Sequence, residues 1–318
     1  MRIAFLLTVL LAMAGRASAA AAEDSLRLRI MTFNIRYANP RDGENRWEKR
    51  RELLTRTIRD YDPDILCLQE ALKPQLDDIL AALPAYASAG VGRDDGATAG
   101  EYAAILYRSN RFAAAPDSTF WLSDTPHTPG SKSWGNTVTR ICTFVELTDQ
   151  GTMQPLMVFN THLDHESRPA REKGVALICT YLDRCRIPCI LTGDFNAGQG
   201  NAAARALLAP RPGPAAPRGE STPAEAAVES TQAPRAFDSY RALHAPAAGE
   251  GTYHGFSGTR DGEKIDFILF ARNTNFVWRI LSADIIRSAE GGRYPSDHFP
   301  VTATVALPVP SRWRGQKH

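Results

Sequence analysis

Past its N-terminal leader the sequence has no apolar run long enough to cross a bilayer, no surplus of either charge sign, no zinc-type Cys/His spacing and no internal repeat. Each absence removes a class of function. A spanning helix needs about 20 apolar residues, so the mature chain is expected to be soluble with no transmembrane segment. The leader itself, Met1-Arg2 followed by the apolar stretch from Ile3 to Ala14 and by Ala17-Ser18-Ala19, has the charge, core and small-residue pattern of a secretory signal. Cleavage after Ala19 and delivery to the periplasm or outside the cell are expected. Lys and Arg number 37 against 35 Asp and Glu, and Arg2 and Arg16 leave with the leader, which gives 35 of each sign in the mature chain. A neutral balance argues against dedicated binding of duplex DNA, which is gripped through its phosphates by a basic surface. Of five cysteines, Cys67 and Cys142 sit in apolar runs as small core residues, whereas Cys185 and Cys189 flank Arg-Ile-Pro and could bridge in an oxidising compartment.

What is present is a succession of short apolar runs that end in polar residues. Leu26–Ile35, Asp64–Leu68, Tyr102–Tyr107, Thr139–Leu147, Leu156–His162, Pro188–Thr192, Lys264–Phe270 and Pro300–Val305 read as strands. Trp47, Leu53, Leu54, Thr57, Ile58 and Tyr61 form one helical stripe, and Val175, Leu177, Ile178, Tyr181 and Leu182 form another. So many strands with so few helices predict a layered α/β sandwich, not one doubly wound sheet. The expected organisation is a signal over residues 1–19 and a single domain over residues 20–318, interrupted at about 198–236 by an Ala/Pro-rich surface insertion with few apolar anchors.

Gly193-Asp194-Phe195-Asn196, at the end of the run Ile187 to Thr192, places a carboxylate and an amide where a core strand meets solvent. Open α/β sheets bind ligands at such carboxyl ends, and an Asp/Asn turn capping a helix is the bland alternative. Other strand borders repeat the pattern: Thr32-Phe33-Asn34, Leu68-Gln69-Glu70, Asn160-Thr161-His162, Lys264-Ile265-Asp266 and Ser296-Asp297-His298. One of these alone is readily a turn. Together they supply the carboxylates that bind a hard divalent cation and the imidazoles that balance phosphate charge.

In these motifs and their order, from Thr32 to Val305, the chain resembles the endonuclease/exonuclease/phosphatase superfamily, which includes DNase I-like nucleases, inositol polyphosphate 5-phosphatases, neutral sphingomyelinases and deadenylases. The resemblance implies a four-layer α/β fold, two packed mixed β-sheets flanked by helices, and a phosphoric ester hydrolase that uses Mg²⁺, with Mn²⁺ or Ca²⁺ as substitutes. It implies that Asn34, Glu70 and Asp297 form the principal metal site, with Asp297 acting directly or through water. Asp194 would orient or deprotonate the attacking water and Asn196 would hold that water or a phosphate oxygen, unless both serve a second metal. His298 would meet the scissile phosphate as a cation oriented by Asp266, and His162 would be a second phosphate ligand paired with Glu101. Arg140 resembles a phosphate contact, a surface salt bridge being the alternative.

Substrate identity is less legible. Asp42 to Trp47, Phe120 to Asp124 and Ser131 to Gly135 resemble stretches of secreted bacterial members. Their aromatics could stack on a base or sugar, with Arg46 or Lys132 taking a second phosphate, or they could be loop packing. No long basic helix or Arg-rich loop is present to enter a DNA groove, so specific duplex recognition is not expected. The expected protein is an exported monomeric hydrolase of a phosphodiester or phosphomonoester, in a nucleotide, sugar phosphate or lipid headgroup. A secreted nonspecific nuclease is the alternative, and a non-catalytic binding module of the same fold comes after it.

Overall fold

In a computed structural model, residues 25–212, 231–272 and 276–309 are described. The leader and its cleavage point lie outside them. The strands are β1 Ser25–Asn34, β2 Ile65–Ala71, β3 Tyr86–Ala89, β4 Tyr102–Arg108, β5 Phe112–Ala114, β6 Ser118–Trp121, β7 Ile141–Asp149, β8 Pro155–His162, β9 Cys189–Asp194, β10 Arg211–Pro212, β11 Thr231–Gln232, β12 Ala236–Asp238, β13 Asp266–Ala271, β14 Arg279–Ile285 and β15 Val301–Pro308. The helices are α1 Trp47–Tyr61, α2 Lys73–Ala82, α3 Arg168–Leu182 and α4 Ala202–Leu208, with a 3-10 turn at Pro40–Asn45.

Two sheets carry the domain. One runs β14-β15-β1-β2-β4-β3, and the other runs β12-β13-β9-β8-β7 with β5 and β6 both pairing along the far edge of β7. Each holds a single parallel pair, β1 with β2 and β8 with β9, among antiparallel neighbours. The two-residue strands β10 and β11 pair only with each other.

Period-2 alternation explains the layering. Leu26, Leu28 and Ile30 of β1 point into the core between the sheets with Ile65 and Cys67, while Met31 and Phe33 point the other way, onto Leu54 and Ile58 of α1. In the second sheet Ile190, Ile268 and Phe270 enter the same central core, whereas Leu191, Phe267 and Leu269 meet Val175 and Ile178 of α3. Strands that are apolar on both faces need cover on both. The result is the helix, sheet, sheet, helix sandwich expected from the motifs.

All of the expected strands are present, within a few residues at their ends. Missed were short or edge strands such as β14, whose residues are largely solvent-facing, and the helices α2 and α4. The segment expected to loop out from about 198 instead begins with α4, which buries Ala203, Ala204 and Leu207 against the α3 layer. Alanine is a good helix former, and its small side chain lets the helix lie close to its neighbours. The segment ends in β12, paired with β13, and residues 213–230 lie outside those described. The Cys185–Cys189 bridge is not formed: the two side chains are hydrogen-bonded to each other as thiols.

Candidate active site

The two parallel pairs bring their carboxyl ends to the same end of the sandwich. Asn34 closes β1, Glu70 lies one residue before the end of β2, His162 closes β8 and Asp194 closes β9. The antiparallel neighbours begin there: Asp266 opens β13 and is paired in register with Asp194, which is also paired in register with His162. The Ser296-Asp297-His298 turn leads into β15 from the same end. It is tied to β1 by Ser296 Oγ, which donates to the Asn34 carbonyl at 2.7 Å.

Gly193 is required by this convergence. Its φ is 148°, and a Cβ there would collide with the Thr161 carbonyl of β8. Glycine therefore lets two parallel strands close up beside the site. Glu70 and Asn196 both adopt left-handed backbone, at φ 63° and 47°. Asn tolerates that conformation, whereas for Glu it costs on the order of 1–3 kcal/mol, a strain that functional positions retain. The cause at Glu70 is the irregularity between Leu68 and Ala71 in the β2–β4 pairing, which turns its carboxylate to meet the Tyr37 N–H at 3.1 Å and the Asn34 amide at 3.0 Å.

Behind these groups a buried polar knot joins the sheets. Asn160 Nδ2 donates to the Leu68 and Ala104 carbonyls, each at 2.8 Å, and its Oδ1 accepts from Gln69 Nε2 at 2.7 Å and from Thr192 Oγ1 at 3.2 Å. Bonds that use both polar atoms of the Asn160 amide fix the register of the two sheets next to the site.

Asp194 is the hub. Its Oδ2 accepts from Asn34 Nδ2 at 3.0 Å and its Oδ1 from the Asn196 N–H at 2.8 Å. The same oxygen Oδ2 lies 3.5 Å from His162 Nε2 and 3.8 Å from His298 Nε2. Burial, reinforced by the negative charge of Asp266, pushes the Asp194 carboxyl up to about 7. His298 responds oppositely. Burial alone would strip its proton, but Asp266, whose Oδ2 accepts from Nδ1 at 3.0 Å, and Asp194 outweigh it and raise the imidazole to about 10. His298 is thus an imidazolium held between two carboxylates, with Nε2 turned to the cleft side.

His162, expected as a second phosphate ligand, carries no charge. Burial, then Arg140 and Arg93, hold it well below its ordinary value, so the ring is neutral. Asn196 Nδ2 lies 2.9 Å from Nε2 and is a donor, which makes Nε2 the acceptor and leaves the proton on Nδ1. Its expected pairing with Glu101 is also loose, at 3.9 Å. Glu101 instead takes Arg93 Nη1 at 2.6 Å, because a guanidinium is the stronger partner for a carboxylate. Arg140 is buried and not a surface ion pair: Nη2 meets His165 Nδ1 at 2.9 Å, Nε lies 3.7 Å from the buried Asp164 carboxylate, and Nη1 has no hydrogen-bond partner among the described residues.

These groups line a cleft of about 520 Å³. Asn34 and Asp266 lie beneath its floor and act through Glu70, Asp194 and His298. Glu70 and Asp297 face it from one side, and the Asp297 carboxyl is raised by burial and further by Glu70. Two carboxylates on one cleft, the Asp297 oxygen 3.9 Å from Arg36 Nε, fit a hard divalent cation with oxygen ligands. Asn34 presents its amide nitrogen to the carboxylates and its Oδ1 to the Arg36 N–H at 3.0 Å, so serving as an oxygen ligand would require its amide to turn over. Among the described residues, the close group of potential ligand atoms is Asp194, Asp266 and His298, all within 4.8 Å. There the imidazolium already supplies the positive charge, so the Glu70–Asp297 side is the better fit.

A profile of the Endonuclease/Exonuclease/phosphatase family matches residues 31–298. The chain belongs to this family. It is similar to an endonuclease/exonuclease/phosphatase of Bacteroides vulgatus, at 32% identity over 88% of this chain and 98% of that one with a TM-score of 0.74. It is likewise similar to a mannosyl-6-phosphatase of Bacteroides thetaiotaomicron, at 29% identity over 87% of this chain and 99% of that one with a TM-score of 0.73. An uncharacterized protein of Acanthamoeba polyphaga mimivirus is 29% identical over 161 residues, 48% of this chain and 59% of that protein. The chain spans less than two thirds of the length of the curated relatives it matches.

Family members are phosphoesterase hydrolases, and the site adds residues that the motifs did not expose. Arg50 is buried on the apolar stripe of α1, where its guanidinium donates to the Ile35, Arg36 and Pro295 carbonyls and pins the end of β1 to the turn before Asp297. A charge one turn from Trp47 and from Leu54 on a helix's buried face was the available signal. Arg93, Tyr253 and Val138 also line the cleft; they come from loops without periodicity. The aromatic stretches considered for substrate stacking pack instead: the Trp47, Trp121 and Trp134 indoles donate to Asp78, the Arg93 carbonyl and Asp124. Lys132 bonds the Thr137 carbonyl, and Arg46 lines a different cavity.

Proposed function

We propose that the chain is an exported, Mg²⁺-dependent phosphomonoesterase that releases inorganic phosphate from a sugar phosphate. The observation carrying this reading is the pairing, in one cleft, of a buried carboxyl poised at about 7 with an imidazolium poised at about 10, 3.8 Å apart. A general base works best with a pKa near the working pH, and a cation that persists at that pH can meet phosphate charge. The sugar-phosphate substrate is supported by the likeness to a mannosyl-6-phosphatase, and export by the leader sequence.

Asp194 takes a proton from the attacking water as the water oxygen bonds to phosphorus and the P–O bond to the sugar breaks, and the sugar oxygen gains a proton from solvent to leave as a hydroxyl. Asn196, fixed by bonds to His162 and to the Leu163 carbonyl at 3.0 Å, positions that water or a phosphate oxygen. His298 Nε2–H and Nη1 of Arg140 are the donors available to the phosphate oxygens, and neutral His162 holds Asn196 in place. Mg²⁺ bound at Glu70 and Asp297 would neutralise charge building on the phosphate.

The test is a screen of the mature protein with Mg²⁺, Mn²⁺ or Ca²⁺ against sugar phosphates, nucleotides, bis-p-nitrophenyl phosphate, plasmid DNA, RNA and sphingomyelin. Phosphate release from a sugar monoester is expected. Hydrolysis of diesters or plasmid with no monoester turned over would replace this reading with a diesterase or nuclease. An N-terminus other than Ala20 on protein recovered outside the cytoplasm would remove the assigned cleavage point.

A further inference from the structure

The cleft has a polar floor and an apolar lip, and the lip is not used by the chemistry above. Tyr253 is 53% exposed, a large ring left open to solvent beside the catalytic imidazole, and it lines the cleft with the partly exposed Ile265 and Val138. Its position is rigid. Tyr253 bridges His298 through the backbone, their rings meet at 5.1 Å and 61°, and the flanking Thr252 and His254 bond Phe299 and Asp297 at 2.8 Å each. A ring so constrained presents apolar area at little further entropic cost. Arg93 completes the pattern: it lines the same cleft, and its guanidinium is held in place there by two carboxylates, Glu101 at 2.6 Å from Nη1 and Asp94 at 3.8 Å from Nε.

Resting on the phosphomonoesterase reading, we propose that Tyr253 and Arg93 form the subsite for the leaving group, and that this group is a pyranose. Its C–H face covers the Tyr253 ring and its hydroxyls accept from Arg93, while the phosphate lies over His298. A flat nucleobase would favour a second free ring; Tyr37, the other ring on the cleft, already carries the Arg36 guanidinium at 4.6 Å, and the apolar lining beside it, Ile265 and Val138, is aliphatic.

The experiment compares kcat/KM for mannose 6-phosphate, adenosine 5′-monophosphate and glycerol 2-phosphate in wild type, Tyr253→Ala, Tyr253→Phe and Arg93→Met. The readout is each ratio to glycerol 2-phosphate, which carries no ring, so damage to His298 common to all substrates cancels. We expect the mannose 6-phosphate ratio to fall about 10-fold in Tyr253→Ala, mostly through KM, to fall in Arg93→Met and to survive in Tyr253→Phe. A ratio unchanged in Tyr253→Ala overturns the subsite and leaves the monoesterase reading intact. A larger loss on adenosine 5′-monophosphate than on the sugar overturns the pyranose. A wild type that hydrolyses none of the three overturns the monoesterase reading itself.

Discussion

Asp266 faces Asp194 across the β9–β13 pairing, and one imidazole answers both: His298 Nδ1 is 3.0 Å from Asp266 and Nε2 is 3.8 Å from Asp194. Two acids in register on adjacent strands repel. Here burial, reinforced by that repulsion, raises the Asp194 carboxyl to about 7, and the attraction of both acids gives the histidine its charge.

Asp266→Asn tests that division. His298 is raised, so its cationic form persists below about 10 and is lost as pH rises through that value. Without the Asp266 charge the alkaline limb of kcat/KM should move toward neutrality, and kcat should fall by about 10²–10⁴-fold. A pH–rate profile reads both. An unmoved limb would show that Asp266 does not set the histidine.

Asp194→Asn should remove turnover by a similar factor, about 10²–10⁴-fold, while substrate still binds. In the wild type Asp194 must be ionised to act. Its raised carboxyl predicts that activity drops as pH falls through about 7. The same shift favours the protonated native state, so this group's contribution to stability is present at low pH and is lost as pH rises through about 7. Near-normal turnover in the variant would take Asp194 out of the chemical step.

Glu70→Gln should abolish the stabilisation that Mg²⁺ gives. A ligand at 100 times its Kd adds about 2.7 kcal/mol to the folded state, a rise in Tm of about 5 °C for a chain of this size. Thermal melts with and without Mg²⁺ measure it without recourse to activity. An equal Mg²⁺ shift in the variant would move the cation site away from Glu70.

Asn160→Ala takes the side-chain donor from the Leu68 and Ala104 carbonyls in the core, while the Gln69 amide keeps Thr32 Oγ1 at 3.0 Å. Unsatisfied buried groups cost about 1–3 kcal/mol each, so a loss of about 3–5 kcal/mol is expected by urea denaturation, with activity of the surviving folded fraction reduced because the sheets hold the site. A loss under about 1 kcal/mol would mean that water replaces the knot.

Much of this site was legible in sequence because strands advertise themselves by alternation and stop where polar residues begin. Leu28, Ile30, Met31 and Phe33 already assign the two faces of β1, and Asn34 marks its end. The protonation states were not legible. His162 ends one apolar run and His298 precedes another, yet the first is neutral beside Arg140 and Arg93 and the second is cationic between Asp194 and Asp266. Glu101 and Arg140 likewise look like surface charges in sequence and are enclosed in the fold.

The sequence by itself determined the order of strands, the layered sandwich and the polar residues delivered to one end of it, since these depend on local period and on where each apolar run stops. Only the tertiary structure decided which of those residues meet: Asn34 and Asp194 bond at 3.0 Å although 160 positions apart. It also decided that Arg93 claims Glu101, that Arg50 clamps the turn before Asp297, and that Tyr253 stands open beside His298. Charge, pKa and exposure depend on distance and burial, and those exist only once the two sheets have packed.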